Sequence, residues 1–410
     1  MIESSCRICK SDSLNLVYSF SPIPYGDLYK RDRSEALGIF PNDLSLLRCD
    51  HCGLLQLREL TRLKEQYTDY LYLTSITNNL KLFYGRVARN LISFLGLQSS
   101  DYVLDIGSND GSFLECFSNA TSNLHGVDPS VPACRIAEKK GLEISNAFFD
   151  SDFSRIYAEK MPKPRLITCN YTIANLPDLN DFFISVRRLM SDRTLFNVIT
   201  GYHLDQFEIG MFDYVNHDHH TYLTLHDFDN LANRNDMKVV YFRKHEHKGG
   251  SFEVGLTLKT SEIPAEDSVN QNLQRETWLE SKSDGLIFRM IDLLSKNSCI
   301  INNLVDAYID DGYQINGIGA SISSTTFISQ FRLANKLSAI YDDDILKHYT
   351  FSPGTGLCVK PLTELCELET KNLVIILGWQ HSMRFIQRLK ELHYKGFIIV
   401  PMPVPKLLHL

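Results

Sequence analysis

The chain has 410 residues, 44% hydrophobic and 22% charged, with a formal net charge of −7. That length exceeds one ordinary core and predicts two or three domains. The acidic balance argues against nucleic-acid binding, which rests on basic surface. No run of about 18 apolar residues occurs, so no membrane span is expected. The start, Met1-Ile2-Glu3-Ser4-Ser5-Cys6, has neither a basic nor an apolar leader region. A cytoplasmic, reducing setting is therefore expected, in which the cysteines form no disulfides.

Residues 1–75 read as turn-rich, with Pro22, Pro24, Gly26 and Pro41. They carry two Cys-x-x-Cys pairs, Cys6-Arg7-Ile8-Cys9 and Cys49-Asp50-His51-Cys52. Each pair can wrap two thiolates around one side of a tetrahedral zinc. Together Cys6, Cys9, Cys49 and Cys52 would close a structural site with no open position. A redox Cys-x-x-Cys is the rival reading. His51 has no vacancy to fill and is expected at the surface. Most of the remaining cysteines are expected to be small buried hydrophobes.

A helix is predicted over 78–95. From Tyr102 the pattern alternates between β and α. Val103-Leu104-Asp105-Ile106 reads as a buried strand ending in the loop Gly107-Ser108-Asn109-Asp110-Gly111, and a helix is expected to open over 112–117. Strands follow at 124–128, 166–169 and 195–199, with a helix over 132–140. Short apolar runs separated by helices imply a parallel sheet. Gly107 and Gly111 allow a tight turn and close backbone approach to a ligand, next to free N–H groups at a helix start. Asp105 suits the methionyl ammonium of S-adenosylmethionine (SAM). Asp128, about 20 residues on, suits ribose hydroxyls. The glycine spacing is not the Gly-x-Gly-x-x-Gly of dinucleotide enzymes. Asn170 and Tyr72 join this SAM set, Tyr72 with core packing as its bland alternative.

Phe212-Asp213-Tyr214-Val215-Asn216-His217-Asp218-His219-His220-Thr221-Tyr222 concentrates ionisable groups. It reads as a metal site, a solvated loop or a general-base site. One long helix is expected over 284–309, then a second α/β unit from Tyr313. Its strands are expected near 313–320, 337–341, 373–377 and 396–400, and its helices over 323–334 and 382–392. Its turn, Gly317-Ile318-Gly319-Ala320-Ser321, can hold a phosphate. Ser321, Ser323, Ser324, Lys360 and Trp379 are candidate contacts, against plain loop chemistry.

Several of these segments together carry a resemblance. They are the two cysteine pairs, Tyr70-Leu71-Tyr72-Leu73-Thr74-Ser75, the loop from Val103 and the run from Asn175 to Phe182. The His219 segment, Gly249-Gly250-Ser251, the Gly317 turn and Pro353-Gly354-Thr355 complete the set. From Cys6 to about Pro405 the chain resembles the SAM-dependent nucleotide-sugar C-3′-methyltransferases. The resemblance implies an α/β chain in three parts. These are an N-terminal zinc-binding domain (1–75), a central class I SAM methyltransferase Rossmann-like domain (76–283) and a C-terminal Rossmann-like α/β nucleotide-sugar domain (284–410). It implies SAM and structural zinc as cofactors, a monomer, and a TDP- or GDP-linked 4-keto-6-deoxyhexose as substrate. The implied chemistry removes the proton beside the ketone and methylates the enolate carbon, with a donor on the enolate oxygen.

The family's Tyr-His-Glu-His motif falls on Asn216-His217-Asp218-His219. This implies His219 as base, with Asp218 holding or tuning it. The family tyrosine is Asn216 here, and the family histidine before the Leu-Pro-Asp-Leu run is Asn175. Tyr214, His217 or Tyr222 would compensate, or the sugar configuration differs. Lys248 stands where the family often has histidine, either to meet a substrate phosphate or as an exposed lysine. Two other readings stay open: O- or N-methylation of a sugar nucleotide, and a zinc-bearing binding protein without turnover.

Overall fold

A computed structural model describes residues 5–60, 73–76, 78–280, 283–368 and 371–410. Tyr72 lies outside them. The strands form three sheets.

The first sheet is antiparallel: β1 (Leu14–Ile23), β2 (Asn42–Cys49), β3 (Leu55–Leu57) and, from far along the chain, β9 (Thr221–Tyr222). The prolines that suggested turns do not prevent it. Pro22 sits on the edge strand, where the β1–β2 register slips between Phe20 and Ile23, a position that needs no ladder N–H.

The central sheet holds β4 (Val103–Ile106), β5 (Leu124–Asp128), β6 (Glu143–Asn146), β7 (Leu166–Asn170) and β8 (Leu195–Gly201), all parallel. The hairpin of β10 (Met237–His245) and β11 (Ser251–Leu258) extends it, β11 running antiparallel to β8. The order is β10-β11-β8-β7-β4-β5-β6. The central strands are buried along their whole length, as strands covered on both faces must be. The chain leaves β4 toward β5 on one side and returns to β7 on the other. The crevice at the carboxyl ends of β4 and β7 is therefore the switch point where open α/β sheets bind ligands.

The third sheet runs β14 (Val359–Pro361), β13 (Ala339–Asp342), β12 (Gln314–Ile318), β15 (Asn372–Ile376), β16 (Phe397–Val400) and β17 (Lys406–His409). Only β17 is antiparallel to its neighbour. The helix Ser283–Asp310 leads into it. No helix among the described residues is long and apolar enough to cross a membrane.

Two helix expectations are corrected. The helix expected over 112–117 is only a 3₁₀ turn, Leu114–Phe117. The Asp110 carboxylate takes both the Ser112 hydroxyl (2.6 Å) and its N–H (3.2 Å), and Gly111 turns with φ 73°. The helix expected to reach Ala334 ends at Gln330, because Arg332 adopts φ 55°.

The three parts meet around residues 212–222. Phe212 packs on Phe327 and Phe331 of the third unit, while β9 completes the first sheet. The Gln330 side chain bonds the Ser21 backbone through both its oxygen (3.2 Å) and its nitrogen (2.8 Å).

Candidate active site

The cysteines come first because their geometry places the rest. The four Sγ atoms lie within 4.8 Å of one another, with Cys6–Cys52 and Cys9–Cys49 each at 3.4 Å. A tetrahedral zinc with Zn–S of about 2.3 Å has S–S edges of about 3.8 Å, so the donor set fits that ion. His51 is exposed. Of the other six cysteines, Cys134 and Cys169 are buried while Cys299 is exposed, so burial was over-generalised from residue type.

Between Cys6 and Cys9 stands Arg7, 1% exposed. Its guanidinium donates to the carbonyls of His220 (2.7 Å) and Leu57 (2.8 Å), and its N–H donates to the Gln56 side chain (3.0 Å). The cysteine knuckle thereby holds the backbone just after His219.

A cavity of about 740 Å³ opens at the switch point. Its walls come from all three sheets' surroundings. On the central side lie Asp105, Gly107, Ser108, Asn109, Asp128 and Asn170. Gly107 (φ 71°) has no room for a side chain beside Thr172. Asn109 (φ 50°) donates its N–H to Asp128 at 2.9 Å, and the other Asp128 oxygen takes the Ser130 N–H at 2.8 Å. Asp110 and Gly111 do not line the cavity. Asp110 instead accepts the Ser75 N–H (2.8 Å), and Asn109 the Thr74 N–H (2.9 Å), tying the loop to the segment before the first helix of this unit.

Two features fit SAM. Asp105 is 2% exposed and accepts from Thr168 at 2.6 Å. Burial, with the nearby Asp128 charge, pushes its carboxyl up to about 7, so a cationic ligand group would relieve it. Asn170, 8% exposed, has both amide atoms without a hydrogen-bond partner among the described residues. Sequence reasoning missed Phe148, Phe149 and Asp150, which line the same cavity after β6. Strand β6, Glu-Ile-Ser-Asn, has no apolar run to reveal it.

Asn175, Asn216, Asp218, His219 and Lys248 line the cavity as well. The His219 Nδ1 lies 2.8 Å from the Tyr214 carbonyl. A carbonyl only accepts, so Nδ1 carries the proton and Nε2 keeps its lone pair. The Tyr214 ring stacks on the imidazole at 4.2 Å. Burial holds His219 down to about 4, with the Lys248 charge adding to the effect. The Tyr214 carbonyl thus orients the imidazole.

Asn216 shapes the turn: its amide donates to the carbonyls of Asp213 (3.2 Å) and Tyr214 (3.3 Å) and accepts the Asp218 N–H (3.1 Å). His217 and Tyr222 do not line the cavity. His217 bonds the Asp43 carbonyl at 2.9 Å, and Tyr222 is buried in β9. The histidines therefore point to different partners rather than to one ion. From the third unit, Ser321, Ser323, Lys347, Gln380 and His381 reach the cavity, whereas Ser324, Lys360 and Trp379 do not. Gln380 also donates to buried Asp213 at 2.8 Å.

Two outcomes are expected. Arg7→Met should lower unfolding free energy by about 2–4 kcal/mol, since two buried carbonyls each lose a charged donor. It should cut turnover more than it weakens SAM affinity; urea unfolding with steady-state kinetics checks both. Second, Asp105 is about half protonated at pH 7 in the free protein, and pairing with an ammonium favours its ionised form. Binding should therefore release a proton below pH 7 and tighten as pH rises toward 7, then level. Calorimetry in buffers of different ionisation enthalpy reads this release, and Asp105→Asn should abolish it.

Comparison with known proteins gives two family matches: a methyltransferase domain over residues 80–241 and a C-methyltransferase C-terminal domain over residues 246–405. The C-methyltransferase NovU of Streptomyces niveus is 24% identical over 407 residues, covering 98% of this chain and 96% of that protein. Among solved structures, a SAM-dependent methyltransferase of Clostridium acetobutylicum ATCC 824 is 14% identical over 45% of this chain and 93% of its own, with a TM-score of 0.34. Magnesium protoporphyrin IX methyltransferase of Synechocystis PCC 6803 is 11% identical over 43% and 82%, also with a TM-score of 0.34. With both parts matched in order and a C-methyltransferase similar from end to end, the chain is a SAM-dependent methyltransferase.

Proposed function

We propose that this enzyme methylates C-3′ of a TDP- or GDP-linked 4-keto-6-deoxyhexose, with His219 as the base. The observation that carries the reading is the His219 tautomer. Its Nε2 keeps a lone pair in the same cavity that Asp105 and Asn170 line. SAM, when bound, supplies an electrophilic methyl group. The chain's own residues then have two tasks: to hold a ketone-bearing substrate, and to accept the proton on the neighbouring carbon. A nucleotide diphosphate suits the far wall, where Ser321 caps the helix Ile322–Gln330 and Lys347 stands beside it. In this reading residues 1–75 form the zinc-binding domain, 76–283 the SAM domain and 284–410 the nucleotide-sugar domain.

Incubation with methyl-labelled SAM and either 4-keto sugar nucleotide should give a new C–CH3 resonance at C-3′. A label on oxygen or nitrogen, or none with any such substrate, would overturn the reading. His219→Asn should lower kcat by about 10²–10⁴-fold. The base works deprotonated and its affinity for protons is held down, so kcat should rise through about pH 4 and level above it. Metal analysis should find one zinc per chain, lost in Cys9→Ser; a fully active metal-free protein would remove zinc from the account.

A further inference from the structure

Lys248 occupies a costly place for a side chain. Its backbone is left-handed (φ 54°, ψ 38°), in a 3₁₀ turn before Gly250. Non-glycine residues adopt that region only where the surroundings enforce it. Here they do. Gln206 donates to the Lys248 carbonyl at 3.1 Å, Gly250 closes on the His247 carbonyl at 3.2 Å, and Gly249 lies against Met211. The result sends the ammonium into the cavity, 4.0 Å above the Tyr171 ring. That ring is fixed in turn by its hydroxyl, 3.2 Å from Ser251. Lysine was weighed from the sequence as an exposed residue; it is half-buried instead.

Around the ammonium stand His219, His247 and His381, each of whose basicity its charge lowers. Base and cation therefore share one wall. The other cavity lysine, Lys347, lies on the third unit and is bound to Asp27 at 2.7 Å. Chemistry beside a ketone needs that pairing of base and cation, because removing the proton puts negative charge on the oxygen two atoms away.

We propose that Lys248 is a further catalytic residue, its ammonium hydrogen-bonding the substrate's ketone oxygen and stabilising the enolate. This rests on the base role of His219 proposed above. The step balances without a further reactant. The C-3 proton passes to His219 Nε2, the C–H pair becomes the C-3–C-4 double bond, and the carbonyl π pair moves onto the oxygen that Lys248 contacts. The C-3–C-4 π pair then forms the new bond to the methyl carbon, the oxygen pair returns to rebuild the carbonyl, and the methyl–sulfur bond pair leaves on sulfur. Burial brings the ammonium down to about 8, so it is charged at neutral pH and loses its charge in mildly alkaline solution.

The test is exchange of the C-3 proton in heavy water, with the 4-keto sugar nucleotide and S-adenosylhomocysteine, alongside methylation with SAM. Wild type should exchange and methylate. Lys248→Met should slow both by about 10²–10³-fold with little change in substrate Kd. Lys248→Arg should restore part of both rates and move the alkaline limb of kcat, expected near pH 8 in wild type, to higher pH. If Lys248→Met exchanges at the wild-type rate, or only its substrate Kd changes, the assignment is overturned. If wild type neither exchanges nor methylates, the functional reading itself fails. A lower unfolding midpoint in Lys248→Met without recovery by Lys248→Arg assigns the residue to the fold and likewise overturns the proposal.

Discussion

The buried guanidinium of Arg7 links the cysteine knuckle to the backbone that carries His219. Burying that group costs free energy unless its donors are satisfied. The two carbonyls it bonds, Leu57 and His220, come from strand β3 and from the residue before β9. The contact thus fixes the short β3–β9 pairing and, through it, the position of the loop that Asn216 shapes. This explains why a four-cysteine site distant in sequence bears on the backbone that carries His219. The knuckle is also tied to the central unit, since Asn180 donates to the Ile8 carbonyl at 2.9 Å. A metal that orders the knuckle would order one edge of the cavity with it.

The cavity itself is electrostatically divided. Asp105 and Asp128 stand on the side of the β4 loop, buried enough that both carboxyls are pushed upward. Lys248 and Lys347 stand on the other walls. A cationic methyl donor suits the first half and an anionic sugar nucleotide the second, and each would lessen the desolvation cost of the residues it meets. The same burial keeps His219 neutral. A neutral imidazole with one nitrogen committed to a carbonyl is a ready acceptor, although a weakly basic one. A cation near the developing oxyanion is what would make so weak a base sufficient.

Much of this was legible in sequence, for identifiable reasons. The strands Val103–Ile106 and Leu166–Asn170 are buried on both faces, so they read as short, mostly apolar runs. The cysteine pairs declare themselves by spacing. Strand β1 escaped notice because a proline at an edge slip looks like a turn. Strand β6 and the cavity residues after it escaped because an edge strand exposed at both ends needs few apolar side chains. The roles within the histidine segment were not legible at all. His217 and His219 differ by two positions, yet one faces Asp43 and the other the cavity. That difference is set by the turn through Asn216, which no periodicity reports.

The two asparagines that depart from the family pattern then separate physically. Asn216 engages the backbone through three hydrogen bonds, two donated and one accepted. A tyrosine has neither the second donor hydrogen nor the short stem to copy that pattern, so the substitution changes the way the turn is built. Asn175 sits in a 3₁₀ turn on the cavity wall after β7. A change there alters the surface offered to a ligand without touching the His219 tautomer, which depends on Tyr214 alone. The His219 tautomer is thus held by a backbone carbonyl, a partner that substitution of neighbouring side chains cannot remove.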